Sequence, residues 1–206
     1  MTTIAGNLQQ VQARIERACE AACRPVSAVQ LLAVSKTFGP DAVRQAHAAG
    51  QLAFGENYVQ EGVDKIASVA ASLPRELLQW HCIGPLQSNK TRPVAEHFDW
   101  VQSIDRLKIA QRLSEQRPPH LPPLNVCLQV DIDGGANKSG VSPAELPALA
   151  DAVAALPRLR LRGLMCIPEP ASGFDAQRAL FLQARDLFEA LKSHGYALDT
   201  LSMGMS

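Results

Sequence analysis

The sequence predicts an α/β fold of parallel strands covered by helices, a (β/α)8 barrel of the TIM type with an extra N-terminal helix. Three observations point there. Short apolar, strand-like runs alternate with helical periodicities from one end of the chain to the other. The connections between them are short enough for βα units. No Gly-x-Gly-x-x-Gly follows the first strand, which disfavours a doubly wound open sheet, the competing architecture. At 206 residues and 47% apolar content the chain can fill one sizeable core, so residues 1–206 are read as a single domain.

Each element has its own justification. Ile4, Leu8, Val11, Ile15, Ala18 and Ala22 recur at spacings of three and four and predict a first helix closed by Pro25. The apolar run 30–37 predicts strand one and delivers Lys36 to its C-terminal end. Gly39-Pro40-Asp41 starts a helix over 42–49 that Gly50 stops. The unit then repeats as strand 52–57 with helix 58–71, strand 78–84 with helix 87–98, and strand 100–105 with helix 106–117. Pro118-Pro119-His120-Leu121-Pro122-Pro123 reads as a stiff connector, because the alternation resumes after it. Strand 124–132, the longest expected, precedes a glycine-rich loop over 134–140 and a helix over 143–156. Strand 160–167, helix 174–194 and strand 198–204 complete seven strands. A closed barrel needs an eighth, and the sequence ends before one appears.

Composition narrows the function classes. Twenty basic and twenty acidic residues balance at a pI near 7.0, unlike the basic footprint of a nucleic-acid binder. The five cysteines are an odd, scattered set, unlike a secreted disulfide framework. There is no signal-peptide pattern at the start and no apolar run near the ~18 residues of a membrane span. A cytoplasmic protein with neither nucleic-acid nor membrane partners is expected, as a monomer or a weak dimer.

In a barrel the C-terminal strand ends line the site. Here they are Ser35-Lys36, Glu56-Asn57, Gly84-Pro85, 103–105, 131–133, 165–168 and 202–204, and Lys36 is their only lysine. An amine at such a place is either a strand tip reaching into water or a desolvated nucleophile able to condense with an aldehyde. Asn57 either hydrogen-bonds a ligand or caps the next helix. His81 lies within a strand, where a satisfied core histidine is commoner than a base. Cys19 and Cys23, four apart on the first helix, lack the second pair that a zinc site needs, so no metal is expected. The loop 134–140 is not a Walker A motif, since Asn137 precedes Lys138, and reads as a lid. Arg158, Arg160 and Arg162, alternating with leucines, read as a solvated rim at the opposite end.

Several stretches resemble, in order and along the whole chain, the pyridoxal phosphate homeostasis protein family. They are 32–37, the run Phe54-Gly55-Glu56-Asn57-Tyr58-Val59-Gln60-Glu61, the run 80–90 beginning Trp80-His81-Cys82-Ile83-Gly84, Lys138-Ser139-Gly140, 162–168, and Leu201-Ser202-Met203-Gly204-Met205-Ser206. The resemblance implies a single barrel akin to the N-terminal domain of alanine racemase, with pyridoxal 5'-phosphate (PLP) held as an imine on Lys36. It places Asn57 beside the cofactor ring, Ser202 and Gly204 at the phosphate end, and Met165 and His81 near the barrel mouth. It implies a carrier or buffer of PLP that maintains vitamin B6 and amino-acid balance, with no established catalysis and with PLP-dependent apoenzymes as partners. The alternative is a PLP-dependent amino-acid racemase, which would need a tyrosine on the far face of the imine. The only tyrosines are Tyr58, at the start of the helix after strand two, and Tyr196, at the wrong end. The family continues beyond the position of Ser206 through a helix and a last strand that bind the phosphate. The natural protein is therefore expected to be longer, and a copy ending at Ser206 to be free of cofactor.

Overall fold

The computed structural model describes residues 3–134 and 139–204. Among them seven strands alternate with helices, an α/β fold of the TIM-type barrel class with one helix ahead of the first strand. The chain divides into two compact units, Met1–His81 and Cys82–Ser206.

In the first unit, Thr3 caps α1 (Ile4–Ala21) by accepting the Gly6 N–H at 3.1 Å. The predicted apolar face is half-buried at Ile4, Leu8, Val11 and Ile15. Cys19 is the buried residue near the helix end, and Ala18 and Ala22 are exposed. The helix stops before Pro25, and Cys23 lies beyond its end at φ +53°. Cys19 and Cys23 therefore do not share a helix face, and no group of three metal-ligating side chains occurs among the described residues.

Strand one is much shorter than expected: β1 is Ala33–Val34. The Leu31 carbonyl is taken by Gln51 Nε2 at 2.9 Å, and Ser35 begins a turn closed by Phe38 N–H donating to Ser35 O at 3.1 Å. α2 (Pro40–Ala48) begins with the proline at its first position, where a missing N–H costs nothing. β2 (Ala53–Glu56) is buried throughout and runs parallel to β1, with Ala33 opposite Phe54 and Val34 opposite Gly55. α3 (Val59–Ala70) packs Gly62, Lys65, Ile66 and Val69 inward, and β3 (Gln79–Cys82) follows, its Gln79 N–H donating to Leu52 O.

The second unit orders its strands β4 (Trp100–Ile104), β5 (Leu124–Gln129), β6 (Leu159–Met165) and β7 (Thr200–Ser202) as parallel neighbours. The expected helix 87–98 is a 3-10 turn followed by α4 (Thr91–His97), because the Pro93 ring clashes with the carbonyl four residues back. α5 (Leu107–Gln116) matches expectation closely. β5 is not the longest strand: Val130 forms only an isolated bridge to Val141, and Asp131 Oδ1 draws the Asp133 and Gly134 N–H groups into a turn. The longest is β6. α6 (Leu146–Ala154) starts late for the same proline reason, at Pro147, and α7 (Phe174–Ser193) covers the last crossover.

Arginine clamps hold the proline-rich connector. Arg117, buried, donates to Pro122 O, Ala95 O and Phe98 O, and Arg158 Nη2 donates to Pro118 O and Leu121 O at 2.5 and 2.6 Å. Arg162 is likewise no mere solvated rim. It forms a bidentate pair with Asp199, donates from Nη1 to Asn125 Oδ1 at 2.9 Å and stacks 4.7 Å above the Trp100 ring. Only Arg160 is exposed as expected. Gly163 is required by close approach: a Cβ there would sit 1.6 Å from Thr200 O on β7.

Candidate functional site

Lys36 follows β1 in the first unit, half-buried, and makes no hydrogen bond or ion pair among the described residues. Lys36 lies two positions past Val34 and Asn57 two positions past Gly55, the last paired residues of β1 and β2. Asn57 is also half-buried, and its amide does not cap α3: Tyr58 is the N-cap residue and no side chain caps that helix. The helix-capping alternative for Asn57 therefore fails, leaving its amide uncommitted.

The residues on either side of Lys36 are pinned. Ser35 Oγ donates to Glu56 Oε1 at 2.6 Å, Lys65 Nζ donates to Ser35 O at 2.6 Å, and Ser35 N–H donates to Gly55 O at 2.9 Å. Thr37 N–H donates to Glu61 Oε1 at 2.6 Å. Thr37 sits at φ +68°, a left-handed conformation that a β-branched residue adopts only when its surroundings impose it.

At the hub is Lys65, 3% exposed, whose ammonium also reaches Glu56 Oε1 at 2.6 Å and Glu61 Oε1 at 3.1 Å. Its three donors are thus matched by three acceptors. Glu56 is 1% exposed, and its Oε2 is buried with no partner among the described residues. Burial raises the Glu61 carboxyl, but the Lys65 hydrogen bond, the Thr37 N–H and the Lys65 charge outweigh it and hold Glu61 below the usual carboxylate range. A cavity of about 410 Å³ opens beside this cluster, lined by Thr37, Phe38, Gly39, Pro40, Glu61, Asp64 and Lys65.

Sequence reasoning missed Lys65, Glu56 and Glu61 as a cluster. The signal was present: a lysine on the apolar 62-65-66-69 stripe of a helix, with a glutamate four residues before it and another inside an apolar strand. His81 is buried in β3, and burial pushes its imidazole down to about 3. A neutral core histidine is the outcome.

In the second unit Met165 and Ser202 face each other in the β6–β7 register. Met165 is 3% exposed and packs with Trp100 and Cys127. Ser202 is half-buried and its Oγ donates to Gln102 Oε1 at 2.7 Å. Gly204 is exposed at φ +90°, with open space where a side chain would be. Of the loop 134–140, Gly134, Ser139 and Gly140 are described, while Asn137 and Lys138 lie outside the described residues. Tyr58 is 62% exposed. Tyr196 donates its hydroxyl to Asp151 Oδ1, which with burial pushes the phenol up to about 12.

Comparison with known proteins gives the relationship. Residues 6–206 match the family model described as "Alanine racemase, N-terminal domain". The chain is 62% identical over 206 residues to the pyridoxal phosphate homeostasis protein of Pseudomonas aeruginosa, covering all of this chain and 86% of that one. It is 54% identical to the protein of the same name from Escherichia coli K12, covering 100% and 88%. Among solved structures, PipY of Synechococcus elongatus PCC7942 with PLP bound superposes at TM-score 0.78 with 39% identity, over 93% of this chain and 89% of that one. Alanine racemase from Corynebacterium glutamicum, at 18% identity and TM-score 0.67 over 84% of this chain and 49% of that one, shares the fold. The chain belongs to the alanine racemase N-terminal-domain family, within its group of pyridoxal phosphate homeostasis proteins.

Proposed function

We propose that this protein binds PLP and carries or buffers it in the cytoplasm, helping to maintain vitamin B6 and amino-acid balance, with residues 1–206 acting as one cofactor-binding domain. The observation that supports this most is the presence of two uncommitted polar groups just past the ends of neighbouring strands, the Lys36 amine and the Asn57 amide. The residues present suit the cofactor's chemistry. PLP would supply an electrophilic aldehyde, and Lys36 Nζ is the amine that would hold it covalently. Asn57 would orient the ring through its amide. The family resemblance adds Met165, Ser202 and Gly204 as cofactor-binding residues; the Ser202 proton is given to Gln102 Oε1 here, so holding a phosphate oxygen would require the hydroxyl to turn away from it. A relative solved with PLP bound supports the same ligand class here.

The carrier reading is preferred to catalysis because neither tyrosine suits proton abstraction. Tyr196 is committed to Asp151 and raised to about 12, and Tyr58 is mostly in solvent at a helix start. Relatives at 54–62% identity are named homeostasis proteins. PLP-dependent apoenzymes are the partners this role implies, with the protein itself a monomer or weak dimer.

Titrating the full-length protein with PLP tests the reading. A yellow species in wild type that is lost in Lys36→Ala is expected, with no conversion of L- to D-amino acids in a chiral assay. Colour retained by Lys36→Ala overturns the covalent assignment, and substantial racemisation promotes the enzyme.

A further inference from the structure

We infer that Glu61, anchored through Lys65 to Glu56, is a positioning residue that fixes the backbone carrying Lys36 and so sets how readily its amine meets an aldehyde. The inference rests on the reading of Lys36 as the PLP-bearing residue.

Three observations converge on it. First, Glu61 reaches back from α3 to a single backbone N–H, and that N–H belongs to Thr37, directly after Lys36. Second, Thr37 occupies the left-handed region at φ +68°, where a β-branched side chain is strained, so an external hold is needed to keep the turn in this form. Third, the residue before Lys36 is held by the same hub: Lys65 Nζ donates to Ser35 O, while Glu56 Oε1 accepts from both Lys65 Nζ and Ser35 Oγ.

One lysine thus ties together the two carboxylates that grip Lys36 from either side. Stability alone does not account for it. A buried ion pair is on balance no more stabilising than apolar side chains of similar volume, yet Lys65 and Glu56 are 3% and 1% exposed. What the pair supplies is a fixed backbone on both sides of an otherwise unheld amine. Glu61, with its side chain 32% exposed, is the member that can be removed without stranding a buried charge.

The test uses the whole chain as wild type, Glu61→Ala, Glu61→Gln and Thr37→Gly/Glu61→Ala. Three quantities are read: the rate of imine absorbance on mixing with PLP, the pyridoxyl-bearing peptide after borohydride, and the affinity for pyridoxamine 5'-phosphate, which lacks the aldehyde. Glu61→Ala is expected to slow imine formation at Lys36 by about tenfold to a hundredfold, the scale of a small misplacement of a reacting group. Its affinity for pyridoxamine phosphate should stay within about threefold of wild type, a difference of under about 0.7 kcal/mol. Glu61→Gln, which keeps an acceptor for the Thr37 N–H, should fall between. The double variant should recover rate, since glycine takes φ +68° without strain. Imine formation in Glu61→Ala at the wild-type rate, or a parallel loss of pyridoxamine phosphate binding, overturns the inference while leaving the Lys36 assignment standing. Absence of label on Lys36 in wild type overturns both.

Discussion

Lys65→Met removes a buried ammonium that meets Glu56 at 2.6 Å, with side-chain exposures of 3% and 0%. The methionine nearly matches the lysine stem in volume, so the cavity term is small. What remains is a carboxylate in the core without its counter-charge. Breaking such a pair from one side costs about 3–5 kcal/mol. For a chain of this length each kcal/mol lowers Tm by about 2–4 °C, so a loss of roughly 6–20 °C is expected. Adding Glu56→Gln removes the stranded charge and keeps an oxygen to accept from Ser35 Oγ. Ser35 O still loses Lys65 Nζ, a residual cost of about 1–3 kcal/mol for an unpaired buried acceptor. The double variant should therefore be more stable than Lys65→Met alone. Urea unfolding followed by the fluorescence of Trp80 and Trp100, with linear extrapolation, measures both. A single-variant loss below about 1 kcal/mol, the range of exposed pairs, or a double variant less stable than the single, refutes the reasoning.

Two further predictions follow from the core. Gly163→Ala places a Cβ 1.6 Å from Thr200 O, so β7 must move away from β6, at a cost of about 3 kcal/mol or more; circular dichroism melts should show it, and a Tm within experimental error of wild type would contradict the β6–β7 register. His81, held down to about 3 by burial, stays neutral in the folded chain, whereas the unfolded chain takes up its proton near the ordinary 6.5. Its contribution is fully present above pH 6.5 and is lost as pH falls from there toward 3. Between pH 6.5 and 4.5 wild type should lose about 2 kcal/mol more than His81→Gln in urea midpoints; equal slopes would contradict it.

Much of the architecture was legible in the sequence because period alone separates strands from helices. The α5 pattern and the strand run at 100–105 were located to within a residue or so. The errors have physical causes that periodicity does not carry. β1 shrank because a glutamine side chain, Gln51, takes the Leu31 carbonyl and so competes with the ladder. β5 ended early because Asp131 folds the following backbone onto its own carboxylate. Pro93 and Pro147 shortened helices whose apolar spacing continued past them. At the candidate site, Lys36 and Asn57 could be named from their places at strand ends. The cluster beneath them was not named: the apolar stripe around Lys65 and the apolar strand around Glu56 hint at burial, but spacing alone does not bring the two together with Glu61. Only the fold shows that two of the three are buried and that they converge on the backbone either side of Lys36.

The most direct test of the account is the identity of the modified lysine. The protein is mixed with PLP, reduced with borohydride, digested and mass-mapped. One dominant pyridoxyl group is expected, on the peptide containing Lys36 and absent in Lys36→Ala. Label spread over surface lysines, or concentrated on another lysine, would contradict it.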